Sequence, residues 1–240
     1  MQGSSSRRVA AAAYTGPVIP PGEPAAYEKE TGRLEAFSDG VFAIAMTLLV
    51  LDLKVPKAAE LHGPGGLLGA LADQWPTFLA YLTSFLTILV MWVNHHILFD
   101  NIRRISRRFL FINGMLLLFV TFVPFPTALL AEYIRQPQAR VAAVVYAGTY
   151  FVLAIWFNLL WRHASAGHRL LDPQASPAVV ATITRQYSFG PPLYLAALGL
   201  AFVSVPASVA LCLLLAVYFA FTGAFGRSQG ADPDRPAAGT

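Results

Sequence analysis

Long apolar stretches alternate with short polar segments along most of the chain, and this pattern predicts membrane-spanning helices. At least four of the stretches approach or exceed the roughly 18 residues that a helix needs to cross a bilayer. Pro124 and Pro126 are expected to kink the third helix, and the fifth is expected to begin at Pro191 and Pro192, after a short interfacial helix. The six predicted spans cover residues 33–53, 75–99, 109–131, 139–161, 189–203 and 206–225, with the interfacial helix at 178–186.

The composition supports a membrane protein. Hydrophobic residues make up 56% of the chain and charged residues 12%, whereas soluble domains average about 25% charged residues. The predicted fold class is therefore an all-α integral membrane protein with six transmembrane helices per chain. Residues 31–225 form the predicted transmembrane domain, and the Ser-, Ala-, Pro- and Gly-rich segments 1–30 and 226–240 are predicted to be disordered.

The basic residues indicate an orientation in the membrane. With the N-terminus inside, thirteen Lys and Arg residues fall on the cytoplasmic side and four on the outer side. Cytoplasmic loops carry such an excess, so both termini are predicted to be cytoplasmic. The net charge of +4 does not indicate nucleic-acid binding, because the basic residues lie between apolar stretches. The run Arg103–Arg104–Ile105–Ser106–Arg107–Arg108 either only determines orientation or also binds anionic lipid headgroups.

Polar residues inside the first two predicted helices are unusual, because ionisable groups in a span are costly and often functional. The first helix carries Arg33, Ser38 and Asp39, and the second carries Trp92, His95 and His96. Asp39 follows Arg33 by six residues, which is about 240° around a helix, so the two cannot form an ordinary i,i+4 pair. Asp39 is expected to find its partner on another helix. The pattern fits purely structural contacts between helices as well as a titrating or ligand-binding role.

The first helix also carries an apolar stripe. Ile44, Thr47 and Leu51 are spaced i, i+3 and i+7 and therefore share a face, while Asp39 lies about 140° from Ile44. A stripe of this kind is, on its own, more often ordinary helix packing than a functional surface.

The sequence Arg33–x–x–x–Phe37–Ser38–Asp39–Gly40, followed by an apolar run with Thr47, resembles the Arg-x-x-x-Phe-Ser-Asp motif of the transmembrane protein 175 family of potassium channels. Trp92 and His95–His96 on the second helix fit the same family. The resemblance implies a prokaryotic member with one six-helix repeat per chain, placed in the plasma membrane. It further implies a homotetramer whose central pore is lined by the first helix.

The same resemblance implies roles for the marked residues. Ile44 is expected to form a narrow apolar ring, Thr47 a hydroxyl layer and Leu51 a further apolar ring, with modest selectivity for potassium over sodium. The motif residues Arg33, Ser38 and Asp39 are expected to form an interhelical network with Trp92 and with a histidine, either His95 or His96. No cofactor or bound metal is expected, and the expected partners are potassium ions, membrane lipids and further copies of the chain.

Two other classes of protein were considered. An intramembrane enzyme is not favoured, because His95 and His96 point about 100° apart on a helix, unlike the i,i+4 histidines typical of metal sites. A secondary transporter for a cation or small solute remains the alternative. It predicts inverted repeats with interrupted helices at matching positions, of which the proline-containing third helix is the one hint.

Overall fold

The computed structural model describes residues 31–58 and 65–224, and in these ranges the regular structure is helical apart from one isolated β-bridge. The predicted disordered segments 1–30 and 226–240 lie outside the described residues. Short 3₁₀ segments, Leu49–Asp52 and Ala166–His168, extend the first and sixth helices. The helices are α1 Thr31–Leu48, α2 Gly66–Asp73, α3 Trp75–Phe99, α4 Arg107–Phe122, α5 Pro124–Tyr133, α6 Ala139–Ser165, α7 Pro177–Ala201 and α8 Val205–Ala224.

Four of the helical units are long and apolar enough to cross a membrane. They are Thr31–Asp52, Trp75–Phe99, Arg107–Tyr133 and Ala139–His168, and Val205–Phe221 forms a shorter apolar helix. The chain is therefore an all-helical integral membrane protein, as the apolar pattern predicts. The fifth and sixth predicted spans stay predictions.

Consecutive long helices are antiparallel, so the end of one helix lies beside the start of the next. At one end His96 of α3 contacts Glu35 of α1, and Ser106, before α4, contacts His163 near the end of α6. At the opposite end Arg135, after α5, lies 5.3 Å above the ring of Trp75, at the start of α3. The first of these ends is called the arginine-rich end below, because its exposed arginines include Arg33, Arg103, Arg104, Arg107, Arg108, Arg162, Arg169 and Arg185.

Helix α6 is the centre of the bundle, packing against α4, α5, α7 and α8. Its large side chains Tyr146, Tyr150 and Trp161 are almost completely buried. The Trp161 indole N–H donates to Thr184 Oγ1 of α7 at 2.8 Å. A buried indole without such an acceptor would cost free energy, so the bond fixes the register between α6 and α7.

The predicted third helix is divided at Val123 into α4 and α5, which together form one membrane-competent unit. The Val123 amide donates to Val120 O at 3.2 Å, three residues back, so the helix tightens where Pro124 and Pro126 follow. Proline cannot donate an i→i−4 bond, and this is the physical reason for the division.

The prediction that a helix begins at Pro191 was wrong. Helix α7 passes through Pro191 and Pro192 without a break, and the predicted interfacial helix is its first half. Pro191 has no N–H for the carbonyl of Tyr187, four residues back, but Asn158 Nδ2 of α6 donates to that carbonyl at 2.9 Å. A side chain on the neighbouring helix thus replaces the missing backbone donor, which lets proline lie inside a continuous helix.

We predict that Asn158→Ala lowers the free energy of unfolding by about 1–2 kcal/mol, because the Tyr187 carbonyl loses the bond that Asn158 donates. Pro191→Ala restores the backbone N–H and should remove most of this penalty in the double variant. Thermal unfolding of the four proteins in detergent measures the coupling. Equal penalties for Asn158→Ala in the presence and absence of Pro191 would contradict the compensation.

Candidate functional site

Helix α1 has two opposite faces. Ser38, Phe42, Ala45 and Leu49 are fully buried against the bundle, mainly against α3 and α4. The predicted stripe points the other way: Ile44 is 58% and Leu51 71% exposed, and Thr47 is also exposed. Within the single chain, the stripe is therefore uncovered over its whole length.

The end of α1 differs from an ideal helix. The backbone tightens into a 3₁₀ turn at Leu49–Asp52, so Leu51 is rotated relative to Ile44 and Thr47 by some tens of degrees from its α-helical position. The Thr47 hydroxyl donates to Ile44 O at 2.8 Å. Its proton is thereby used within the helix, and the oxygen lone pairs are left on the exposed side.

A chain of hydrogen bonds joins α1 to α4 and α3 in the buried interior. The Ser38 hydroxyl donates to Leu34 O at 2.8 Å, and Asn113 Nδ2 donates to Ser38 Oγ at 3.1 Å. Asn113 Oδ1 lies 2.9 Å from His95 Nε2. Because the Ser38 hydroxyl proton goes to Leu34 O, Ser38 Oγ accepts from the Asn113 amide nitrogen. The Asn113 amide oxygen therefore faces His95 and accepts, so His95 donates from Nε2. The direction of each bond is thus fixed by the next.

Aromatic rings surround the fully buried side chain of His95. Its ring stacks on Phe99 with the centroids 4.5 Å apart and contacts Phe42 at 5.3 Å. Phe157 approaches edge-on at 6.3 Å. The second ring nitrogen of His95, Nδ1, is buried without a hydrogen-bond partner. Nδ1 has no acceptor within reach, so the ring carries its proton on Nε2.

Two further contacts join α1 to α3. Trp92 Nε1 donates to Asp39 Oδ1 at 2.9 Å. One turn nearer the arginine-rich end, His96 Nδ1 lies 2.7 Å from Glu35 Oε1, with His96 53% and Glu35 23% exposed. This second contact is a charge contact when His96 is protonated, and it lacks the alignment of a hydrogen bond. The Trp92 and His96 rings are 6.2 Å apart, so the two contacts are neighbours.

Arg33 lies apart from these contacts. It is exposed in the first turn of α1, and no hydrogen bond or ion pair joins it to another residue in the described ranges. On an ideal helix it falls within about 20° of Ile44, on the exposed face rather than the face of Asp39. The structure joins Ser38 to His95 through Asn113 and pairs Asp39 with Trp92. It places His96 beside Glu35 and leaves Arg33 outside these contacts.

The sequence reasoning missed two contacting residues. Asn113 is a single amide within an apolar helix, and in lipid such a group must find an internal partner. That signal could have identified it. Glu35 precedes Asp39 by four residues, so the two lie on the same side of the helix. Across the residues the structure describes, no group of three His, Cys, Asp or Glu side chains is placed to hold a metal ion.

The fold and this site define a polytopic membrane protein whose first helix is anchored by polar contacts on one face and exposed on the other. The family model of the endosomal/lysosomal potassium channel TMEM175 matches residues 33–124. A potassium channel of Chamaesiphon minutus is 58% identical over 193 residues, 80% of this chain and 95% of that protein. A potassium channel of Streptomyces collinus is 50% identical over 194 residues, 80% of this chain and 92% of that protein.

A solved structure is also similar. The crystal structure of a lysosomal potassium-selective channel TMEM175 homolog from Chamaesiphon minutus matches with a TM-score of 0.74 and 55% identity, covering 81% of this chain and 98% of that one. The chain therefore belongs to the TMEM175 family, as the motif at Arg33–Gly40 predicts. The family and these relatives are channels, not enzymes.

We predict that Trp92→Phe and Asp39→Ala each lower the free energy of unfolding by about 1–3 kcal/mol, because each leaves the other partner of the bond unpaired in a half-buried site. The double variant should cost little more than either single one. Asp39→Asn keeps an acceptor oxygen and is the conservative control. Fully additive penalties in detergent unfolding experiments would show that the two side chains do not act as a pair.

Proposed function

We propose that the protein is a potassium-permeable cation channel in which several copies of α1 surround a central pore. The observation that carries this proposal is the exposure of Ile44, Thr47 and Leu51 on a helix whose opposite face is anchored in the bundle. Relatives that match the chain over nearly their whole length are potassium channels. The stripe also carries the Thr47 hydroxyl, whose oxygen lone pairs could face a permeating ion.

The channel is a homotetramer in this proposal. One helix cannot enclose a conduit, but cyclic symmetry brings the same face of each α1 to a common axis. The stripe is free for this purpose because the contacts of α1 with α3 and α4 use its other face. Closed symmetry also repeats each stripe residue as a ring, so a single side chain per subunit can set a property of the whole pore.

The rings would act by two physical mechanisms. Ile44 forms an apolar constriction, which resists wetting and so can close the pore to ions without a moving plug. Thr47 supplies oxygen lone pairs that replace part of an ion's hydration shell, since its proton is donated to Ile44 O. A ring of threonines offers few and weak ligands, so modest selectivity for potassium over sodium is expected. Leu51 forms a second apolar ring beyond the threonine layer.

The polar contacts on the inner face of α1 serve to fix its rotation. Ser38 connects through Asn113 to His95, and Asp39 is held by Trp92. Anchors on both α3 and α4 prevent α1 from turning, because a turn would break several buried bonds at once. In this proposal the network positions the pore-lining residues and does not itself contact the permeating ion.

The membrane topology completes the proposal. Six spans arise when α7 and α8 cross together with the four longer units, which places both termini on one side. The concentration of exposed arginines at the arginine-rich end, against Lys54, Arg135 and Arg140 at the other, favours a cytoplasmic position for that end. The proposed location is the plasma membrane of a prokaryotic cell.

A recording in planar bilayers separates this proposal from the secondary transporter. With asymmetric potassium and sodium, a channel is expected to give discrete current steps and a reversal potential displaced toward that of potassium. Native mass spectrometry of the same preparation should show particles of four chains. Smooth currents too small to resolve as single events would favour the transporter. Monomeric particles that still conduct would contradict a pore formed by several chains.

We predict that Thr47→Ala shifts the reversal potential toward that of sodium, because it removes the hydroxyl oxygens of the proposed layer. Since each oxygen is a weak ligand, the loss of selectivity should amount to roughly 1 kcal/mol, about fivefold in the permeability ratio. Thr47→Ser keeps the hydroxyl and should keep most of the selectivity. The measurement is the bi-ionic reversal potential.

Leu118→Ala provides a matched control, since Leu118 is an exposed side chain on α4 and lies outside the proposed pore. It should leave the reversal potential unchanged. If Thr47→Ala behaves as Leu118→Ala does, then Thr47 does not belong to a selectivity layer.

A further inference from the structure

The segment between α3 and α4 alternates between buried apolar anchors and exposed arginines. Ile102, Ile105 and Phe109 are buried. Between these anchors the arginines point outward in two pairs, which are Arg103 with Arg104 and Arg107 with Arg108. Each pair is therefore held at a fixed place on the surface by the apolar residue on either side of it. This surface of four arginines is called the arginine platform below.

The backbone under the platform is tied to a second loop, between α6 and α7. The amides of Arg103 and Arg104 both donate to Leu170 O, at 2.9 Å and 3.2 Å. The Asp172 amide donates to Asn101 O at 2.9 Å, and Ile102 and Leu171 form the isolated bridge. A loop paired in this way loses little further conformational entropy when a ligand binds to its side chains.

The start of α4 adds a second anchor to the platform. Ser106 Oγ accepts from the Phe109 amide at 3.1 Å, as an N-cap does, and lies 3.1 Å from His163 Nε2 of α6. Arg107 and Arg108 thus occupy the first turn of a capped helix, where positive charge is unfavourable in the absence of an anion. Two adjacent arginines at this position do not help α4 to fold.

Few acids neutralise the platform within the described residues. Arg103 Nη1 lies 3.7 Å from Asp172 Oδ2, a long contact, and the Arg103 side chain is 70% exposed. No ion pair joins Arg104, Arg107 or Arg108 to another residue in the described part of the chain. The guanidinium groups therefore remain available to an external anion.

We propose that the arginine platform binds the phosphate headgroups of anionic membrane lipids. The platform lies between the end of α3 and the start of α4, two helices that can cross a membrane. Residues at the ends of membrane helices lie at the depth of the lipid headgroups. Arginine binds phosphate in a bidentate manner, and the capped start of α4 adds backbone N–H groups and a favourable helix dipole. Basic residues at this position attract anionic lipid electrostatically.

This function differs from a role in orientation alone. An orientation determinant acts during insertion and needs only positive charge on one side of the membrane. A lipid site acts in the finished protein, prefers anionic over neutral headgroups, and depends on this pair of loops. The two roles are therefore separable by measurements on protein that is already folded and purified.

The test is lipid binding to the purified protein in detergent, with phosphatidylglycerol and phosphatidylcholine as the probes and native mass spectrometry as the readout. The wild type should retain phosphatidylglycerol preferentially. Arg107→Gln with Arg108→Gln should weaken its binding about tenfold or more, given the loss of two such charges. Lys54→Gln with Arg140→Gln removes two exposed charges at the opposite end and is the matched control, which should bind as the wild type does.

Arg107→Lys with Arg108→Lys keeps the charge and should weaken binding less than the glutamine pair does. Raising the salt concentration on the wild type should release phosphatidylglycerol, since exposed charges are screened. These two measurements remain informative if the glutamine variant does not fold. Equal retention of both lipids by the wild type, or equal losses in the two glutamine pairs, would overturn the proposal.

Discussion

The anchoring of one face of α1 is the constraint on which the rest of the structure depends. A membrane offers no water to satisfy polar groups, so the Asp39 carboxylate needs a partner on another helix, whereas the Ser38 hydroxyl already donates within α1 and can still accept a bond. Asn113 and Trp92 donate these bonds from two different helices, α4 and α3. Because these partners approach from the same side, they define which face of α1 is inside. Once that face of α1 is buried, the stripe at Ile44 lies on the exposed side of the helix.

The same physical rule explains which features the sequence predicts and which it does not. The pairing of Asp39 with another helix follows from burial cost and helix angle, both of which are local properties. The partners of Asn113 could not be predicted from the sequence in the same way, because they depend on how α4 packs against α1. Arg33 shares a motif with Ser38 and Asp39, yet its angle on the helix places it on the exposed face. Sequence proximity thus grouped residues that geometry separates.

Helix α7 shows the limit of local rules for the fold. Two adjacent prolines normally end a helix, and the sequence around Pro191 contains no sign of an exception. The exception is made by Asn158, which is far away in the sequence and donates to the carbonyl that Pro191 leaves free. A rule that reads one segment at a time cannot find a donor on a neighbouring helix. The apolar pattern succeeded elsewhere because hydrophobic length, unlike this compensation, is a property of each segment alone.

A pore lined by one helix per subunit imposes a requirement that a pore with a rigid filter loop does not. Successive residues of a helix differ by about 100°, so a rotation of that size replaces Thr47 by Met46 or Leu48. A pore of this kind keeps its hydroxyl ring only if its helix cannot turn. Contacts at Glu35, Ser38 and Asp39 lie in consecutive turns near one end of α1 and reach two other helices. They lie more than a turn away from Ile44, so they can hold the helix at a fixed angle while leaving the narrow part of the proposed pore entirely apolar and hydroxyl-lined.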